Sequence, residues 1–390
     1  MGTTASFDNG LALEEQRLVV NATDFARDHL AHNPSFDSAG HRELLRLACG
    51  VGLAGIEVPV ESGGAGASFS ARMRVCEELA RTHPGFAFSL VNHHNIVSRI
   101  ALSGQPSVKR DLVPAMLEGA LIGCTAMTEP QSGSDFAGMQ TTATRTQDGW
   151  RLNGAKAWIT NASLADVFLV YAQTDAAAGA AGIAGFIVLA EDAGFIRGDA
   201  YKATGVEGMA VGQFSLEDCR VPEERVLYPA PGGFKAALRG VNQARVHVAA
   251  MNAAMVENAM NTALRHASSR QAFGKSIVEF QGVGWSLADV ATHLHAMRLL
   301  AYVAAEAIDS NHDAQVSAAM AKKYANDHAA SAISACMQAM GARGITDEVG
   351  LARLLGWAKA FCYTDGTPEM MNERIVRALR KNTQEVSMQH

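Results

Sequence analysis

Cysteine is scarce and scattered along this chain, and the sequence marks of several protein classes are missing. Its 390 residues include six cysteines, with no Cys-x-x-Cys pair and no histidine at metal-ligand spacing. We therefore expect reduced core thiols in a cytoplasmic protein and no metal site. No cluster of Lys and Arg stands out and the net charge is −6, so nucleic acid and anionic membrane surfaces are not expected partners.

Long apolar runs are also missing. No stretch approaches the roughly 20 apolar residues that a membrane-spanning helix requires. The first residues, which include the acidic Glu14 and Glu15, lack the basic-then-apolar pattern of a secretory signal. A content of 48% hydrophobic and 18% charged residues is ordinary for a globular protein, and the length suggests two or three domains.

The middle of the chain carries strand patterns. After the turn-forming pair at 148–149, Trp150 and Leu152 alternate with polar residues, as in a half-buried strand. Asn153 and Gly154 then predict a tight hairpin turn. Further strands are predicted over 155–160, 167–171, 186–189 and 211–221, with a loop at the Ala/Gly-rich segment 176–182.

Helical periodicity dominates the two ends of the chain. Apolar residues at helical spacing predict helices over 18–26, 40–54, 69–82, 106–119, 234–267, 278–308 and 313–340. The patterns together predict an α+β fold with an N-terminal helical domain (1–122), a middle β domain (123–231) and a C-terminal four-helix-type bundle (232–390). Such an order excludes few folds, so function must be argued from individual residues.

The strongest local signal is the polar segment 126–138. Thr128, Ser132, Gly133 and Ser134 follow an apolar strand directly. Glycine lets the backbone approach a ligand closely, so such a turn can offer N–H groups and hydroxyls to a flavin edge or a pyrophosphate. Taken alone, the segment is equally compatible with a plain polar turn.

Segment 126–138 resembles the first signature of the acyl-CoA dehydrogenase family, and four further motifs of that family follow in order. They are 158–161 (Trp-Ile-Thr-Asn), 217–222 (Glu-Asp-Cys-Arg-Val-Pro), 270–275 (Arg-Gln-Ala-Phe-Gly-Lys) followed by Phe280 and Gln281, and 338–344 followed by 365–367 (Asp-Gly-Thr). The resemblance implies two helical domains flanking a β domain, one FAD per subunit and a homotetramer.

The family's site residues carry over onto matching positions of this chain. The resemblance implies that FAD is bound by Met127, Thr128, Gly133, Ser134, Trp158, Thr160, Arg270, Phe273, Gln281, Gln338, Gly341, Thr367 and Glu369. It further implies that the acyl-CoA substrate meets Ser134, Asn92, His93, Arg245 and Gly366. The segment around Arg270 is implied to reach the cofactor of a neighbouring subunit.

Asp365 stands where most of the family has the glutamate that acts as the catalytic base. An acyl thioester has a weakly acidic α C–H, and its removal needs a carboxylate held against that carbon. A second branch of the family places its base directly before the arginine of a later helix, but here that pair is Ala244 and Arg245. Asp365 is therefore the predicted base; its alternative role is to cap a loop beside Gly366.

Ala87 occupies the position at which glutaryl-type relatives carry an arginine for the distal carboxylate of their substrate. Its small apolar side chain predicts a monocarboxylic acyl group. His93 and His94 can recognise a polar acyl tail, or they can be helix residues that contact backbone or water.

Three functions remain open from the sequence. The first is an acyl-CoA dehydrogenase that passes electrons to an electron-transfer flavoprotein. The second is a relative that passes them to oxygen, an acyl-CoA oxidase or a nitroalkane oxidase; the latter branch also has Asp at the position of Asp365. The third is an FAD-binding subunit without activity.

Overall fold

The computed structural model describes residues 8–31, 36–203 and 205–387, and the chain divides into two compact units. One unit takes in Met1–Val75, Gly85–Ala203 and Glu207–Gly240, and the other takes in Cys76–Pro84, Thr204–Val206 and Val241–His390. Helices occupy both ends of the chain and strands the middle, which confirms the predicted α+β order. The domain boundaries after residues 122 and 231 stay a prediction.

The helices that precede the sheet mostly match the predicted segments. They are α1 (Leu13–Phe25, extended by a π-turn at Ala26–Leu30), α2 (Ser38–Gly50), α3 (Phe69–Thr82), α4 (Pro84–Ser103) and α5 (Pro106–Leu117). Asp37 caps α2 by accepting a hydrogen bond from the N–H of Gly40 at 2.8 Å. Helix α4 was not predicted as a separate helix. Residues 86–91 within it are all buried, so it lacks the one-sided apolar stripe by which periodicity detects a helix.

The strands form one eight-stranded sheet in the first unit. They are β1 (Gly123–Ala126), β2 (Thr142–Thr146), β3 (Gly149–Ile159), β4 (Val167–Gln173), β5 (Ile183–Leu189), β6 (Phe195–Ala200), β7 (Gly212–Val221) and β8 (Val226–Tyr228). The order across the sheet is β6-β7-β3-β2-β4-β5-β8, with β1 paired in parallel to β4. The predicted strands near 167–171, 186–189 and 211–221 are confirmed as parts of β4, β5 and β7.

Strand β4 separates two cores because its side chains alternate between the faces of the sheet. Val167, Leu169 and Tyr171 belong to the core shared with α4 and α5. Phe168 and Val170 belong to the opposite core, together with side chains of β5 and β7. All the residues of β4 are buried, which explains why this strand reads as a continuous apolar run.

The hairpin predicted at Asn153 and Gly154 is wrong, because both residues lie within the continuous strand β3. The actual hairpin turn lies between Thr146 and Gly149, which pair across β2 and β3. The Asn153 side chain instead bonds Asp218 at a bulge of β7, accepting from its N–H at 2.8 Å. Gly154 has φ +149°, and a Cβ there would lie 2.6 Å from the Thr141 hydroxyl. The glycine serves a close strand approach and not a turn.

The second unit contains most of the long helices. They are α6 (Gly232–Ser269), α7 (Gln281–Asp309), α8 (Gln315–Met340), α9 (Leu351–Ala360) and α10 (Pro368–Ser387), with the short strands β9 (Gln271–Ala272) and β10 (Lys275–Ser276) between α6 and α7. Helix α8 contacts α7, α9 and α10. Among the described residues, no helix has the length and apolar character to cross a membrane.

Candidate functional site

The polar segment after β1 is closed by a buried ion pair. The ammonium of Lys156 on β3 lies 2.9 Å from Oε1 of Glu129 and also donates to the carbonyl of Met127 at 3.2 Å. Glu129 accepts from the N–H groups of Gln140 at 2.7 Å and Thr141 at 2.9 Å. The ion pair therefore joins the start of the segment to β3 and to residues 140 and 141, which follow its end.

Burial acts against both charges of this pair. It lowers the pKa of Lys156 to about 8, although Glu129 opposes the shift. Burial also disfavours the Glu129 carboxylate, but Lys156 and the bonds from Thr141 and Gln140 outweigh that effect and lower its pKa. No local sequence pattern predicts this pair, because its members are 27 residues apart in the chain.

A backbone hydrogen bond next to the ion pair joins Thr128 to Ala157, the residue before Trp158. The carbonyl of Thr128 accepts a hydrogen bond from the N–H of Ala157 at 3.0 Å, and Thr128 itself is half-buried. Gly133 and Ser134 are exposed further along the segment. The structure thus brings together Met127, Thr128 and Trp158 of the predicted cofactor residues.

Trp158 is held with its indole exposed. Its φ is +60°, and its ring stacks on Tyr201 with centroids 4.0 Å apart and an interplanar angle of 11°. The Trp158 residue is 61% exposed, which is unusual for so large an apolar side chain. A flat apolar surface of this kind suits the stacking of a planar aromatic ligand.

Asn161 anchors the end of the same motif in the protein interior. It has φ +66° and is fully buried. Its side-chain amide donates to the carbonyl of Ser89 at 2.9 Å and accepts from the Ser89 hydroxyl at 2.5 Å. The same hydroxyl lies 2.8 Å from Nε2 of His41. These bonds offset the strain of the left-handed backbone and fix the neighbouring Thr160, which is buried.

His93 contacts backbone on both sides of its ring. Its Nε2 lies 2.9 Å from the carbonyl of Met116, and its Nδ1 accepts from the N–H of Gly123 at 3.0 Å. Burial lowers its pKa to about 4, so the ring is neutral. Both ring nitrogens of His93 thus bond backbone and hold β1, as in the helix-residue alternative, and its contact with substrate stays a prediction. The neighbouring Asn92 likewise accepts from the N–H of Thr125 at 3.1 Å.

In the second unit, Asp365 and Gly366 lie in a left-handed turn before α10. Their φ values are +52° and +98°. Arg245 on α6 donates from Nε to the carbonyl of Asp365 at 3.0 Å. Lys322 on α8 donates to the carbonyl of Gly366 at 2.7 Å. We refer to residues 363–367 as the base loop.

The two cations that hold the base loop are buried. Arg245 is 4% exposed and Lys322 is fully buried. Burial lowers the pKa of Arg245 to about 10 and that of Lys322 to about 8, while the negative charge of Asp365 acts in the opposite direction on both. The carboxylate of Asp365 thus lies in the field of two positive charges. The sequence pointed to Arg245 as a substrate-binding residue, a role that stays a prediction, and did not point to Lys322.

The remaining predicted cofactor residues of this unit lie mostly at its surface. Phe273 sits at the tip of the β9–β10 hairpin with φ +50°, followed by Gly274 with φ +82°, and is 96% exposed. Positive φ at both turn positions is typical of a tight hairpin. Exposed residues of the same prediction are Arg270, Gln281, Gln338, Gly341 and Glu369, whereas Thr367 is half-buried. Thr367 and Glu369 interact through a hydrogen bond, and the assignment of the whole set to FAD stays a prediction.

Comparisons with known proteins match this chain to one family along nearly its whole length. Models of the N-terminal, middle and C-terminal domains of acyl-CoA dehydrogenase match residues 13–120, 124–219 and 231–380. The human mitochondrial short-chain specific acyl-CoA dehydrogenase is 34% identical over 84% of this chain and 80% of its own length. The caffeyl-CoA reductase-Etf complex subunit CarC of Acetobacterium woodii is 31% identical over 92% of this chain and 96% of its own.

A solved structure of a protein from the same family has the same fold. The butyryl-CoA dehydrogenase from Megasphaera elsdenii superposes with a TM-score of 0.89 at 30% identity, covering 95% of this chain and 98% of that one. The likeness therefore includes the segments that hold Thr128, Trp158, Arg245 and Asp365.

Proposed function

Because the chain belongs to the acyl-CoA dehydrogenase family of FAD-dependent oxidoreductases, we propose that it dehydrogenates an acyl-CoA thioester between the α and β carbons. Asp365 takes the α proton in this proposal. The base loop is the observation that supports this proposal most strongly. Its backbone is held beside Asp365 by two cations: Arg245 bonds the carbonyl of Asp365, and Lys322 bonds the carbonyl of Gly366.

The residues around Trp158 fit a flavin. An exposed indole on a left-handed residue and a half-buried Thr128 beside it offer a stacking surface and a hydroxyl. We assign Met127, Thr128, Trp158 and Thr160 to the ring system and Gly133 and Ser134 to the pyrophosphate side. When bound, FAD supplies the acceptor for the hydride that leaves the β carbon.

Asp365 provides the acid–base part of the reaction. A carboxylate accepts the α proton only when it is ionised, and neighbouring positive charges favour that form. Arg245 and Lys322 both interact with the Asp365 charge. The side chain is one methylene shorter than glutamate, so its reach depends on the backbone position that these two cations set. A misplacement of about 1 Å can cost on the order of a hundredfold in rate.

A short or branched monocarboxylic acyl chain is the substrate class that we propose. The human short-chain specific and butyryl-CoA relatives support this class. Ala87 supports it too, because it is fully buried and offers no cation to a distal carboxylate. We further propose an electron-transfer flavoprotein as the electron acceptor, supported by the relative from an Etf complex.

Asp365 itself favours one second candidate, an oxygen-using relative of the nitroalkane oxidase type. Stopped-flow reoxidation of the reduced flavin by oxygen separates the two functions. Rapid reoxidation in the absence of an electron-transfer flavoprotein would favour the second candidate.

An anaerobic acyl-CoA panel tests the proposed function. Absorbance near 450 nm, roughly where oxidised flavins absorb, is followed after each thioester is added. We expect loss of this absorbance with at least one short monocarboxylic acyl-CoA. A protein that holds FAD but is reduced by no acyl-CoA would contradict the proposal.

A further inference from the structure

Lys322 is a buried ammonium in the middle of α8. It lies among alanines of that helix, which are buried as well, and none of its own surface is exposed. Removing an ammonium group from water costs several kcal/mol unless it is paired and hydrogen-bonded. An apolar side chain of similar length would fill this space without that cost. The charge therefore calls for an explanation beyond packing.

The base loop provides the partners that this charge requires. Lys322 donates to the carbonyl of Gly366 at 2.7 Å, directly after Asp365. The groups that face its ammonium are the Asp365 carboxylate, the Cys362 thiol and the Arg245 guanidinium. Arg374 on α10 adds a further positive charge near Arg245. Burial raises the pKa of Cys362, so this group is a neutral thiol near pH 7 and the Asp365 carboxylate is the anion that faces Lys322.

We propose that Lys322 is a positioning residue for the reaction, one that fixes the base loop at Gly366 and supplies, with Arg245, the positive charge that keeps Asp365 ionised. The inference rests on the proposed function of Asp365 as the base. The two roles are separable. The bond to Gly366 sets where the carboxylate stands at every pH, whereas the charge sets the pH below which the carboxylate becomes protonated and inactive.

The pH profile of flavin reduction tests the role of the charge. Lys322→Met removes the charge and the donor with little change of length, and Lys322→Gln removes the charge but keeps an N–H donor on a side chain one atom shorter. Both are compared with wild type in anaerobic stopped flow from pH 5.5 to 9 with the best acyl-CoA. The ammonium of Lys322 interacts electrostatically with the Asp365 carboxylate, and a neighbouring opposite charge lowers the pKa of a carboxyl group by about one to three pH units. In both variants we therefore expect the pH at which the rate of flavin reduction falls off on the acid side to rise by at least about one unit. The rate at pH 6 should then be at least about tenfold lower than in wild type.

Lys323→Met is the matched control. Lys323 is the next residue on α8, but it is partly exposed and pairs with Asp327. This variant is expected to keep the wild-type profile. FAD content and the thermal midpoint are measured for every variant, because a purely structural defect lowers the rate equally at all pH values.

The outcomes separate the inference from the proposed function. A wild-type protein that no acyl-CoA reduces refutes the proposed function. A reducible wild type, together with Lys322 variants whose rate falls off on the acid side at the wild-type pH, refutes the role of Lys322. Failure of both variants to fold with FAD would assign Lys322 to folding alone and would also overturn the inference.

Discussion

The ammonium of Lys156 lies 2.9 Å from Oε1 of Glu129, and less than 2% of either side chain is exposed. This pair joins the middle of β3 to the segment that presents Thr128. A buried pair of opposite charges has little net effect on stability compared with apolar residues. Loss of one member is costly, however, because it leaves the other charge buried without a counter-charge. Stability and cofactor binding should therefore both depend on it.

Glu129→Gln should destabilise the protein by about 3–5 kcal/mol, because it leaves Lys156 buried without a counter-charge. We expect a thermal midpoint several degrees lower and weaker FAD retention. The double variant Glu129→Gln/Lys156→Met should recover part of the stability. Glu373→Gln, which breaks an exposed pair with Arg377, is the control and should change the midpoint little. A single variant as stable as this control would refute the role of the pair.

The lowered pKa of Lys156 also predicts how stability depends on pH. Its value in the fold is about 8, against an ordinary value of 10.5. Between these two pH values the unfolded chain binds a proton that the folded chain has released, so this group makes stability rise with pH across that window. Thermal midpoints from pH 8 to 10.5 should rise less steeply, or fall more steeply, in the double variant than in wild type. Parallel curves would contradict the assignment.

The sequence predicted the periodic elements well and the buried polar contacts poorly. The helix predicted over 234–267 is observed as Gly232–Ser269, because its apolar spacing repeats over many turns. The turn predicted at Asn153 was wrong because a bulge in β7, and not local propensity, decides its environment. The short strands β2, β6 and β8 carried too little pattern to be predicted.

The contacts that support the site join residues far apart in the chain. Ser89 and Asn161 are 72 residues apart, and Lys322 and Gly366 are 44 apart. No local spacing encodes such pairs. The resemblance to the family pointed to Thr128, Trp158, Arg245 and Asp365 as site residues, which stays a prediction, and it did not point to the buried Lys156 and Lys322.

Arg270→Ala should weaken FAD binding at least about tenfold, since a guanidinium can bind pyrophosphate oxygens through two charged hydrogen bonds. Arg270 and Phe273 are exposed beside the β9–β10 hairpin, as expected if they serve the cofactor of a neighbouring subunit in a homotetramer. FAD affinity is measured by the loss of FAD on ultrafiltration, and the oligomeric state by the molar mass from light scattering. Arg265→Ala, on α6 one turn before Arg270, is the control. A monomer, or an unchanged FAD affinity, would exclude the inter-subunit arrangement.

Monocarboxylic thioesters should be preferred over glutaryl-CoA. Ala87 is fully buried on α4, and its methyl group cannot pair with a distal carboxylate, whose desolvation would go uncompensated. The measurement is kcat/KM for butyryl-, isobutyryl-, octanoyl- and glutaryl-CoA under identical conditions. A higher kcat/KM for glutaryl-CoA than for the three monocarboxylic thioesters would contradict this prediction.

The rate of flavin reduction in Asp365→Asn tests the central claim most directly. Asparagine keeps the size of the side chain and tolerates the left-handed backbone at φ +52°, but an amide does not accept a proton at neutral pH. Asp347→Asn, at an exposed position, is the control. We predict that anaerobic reduction by the best acyl-CoA slows at least about 10²-fold in Asp365→Asn, with FAD still bound. Reduction at the wild-type rate would contradict the account and place the base elsewhere.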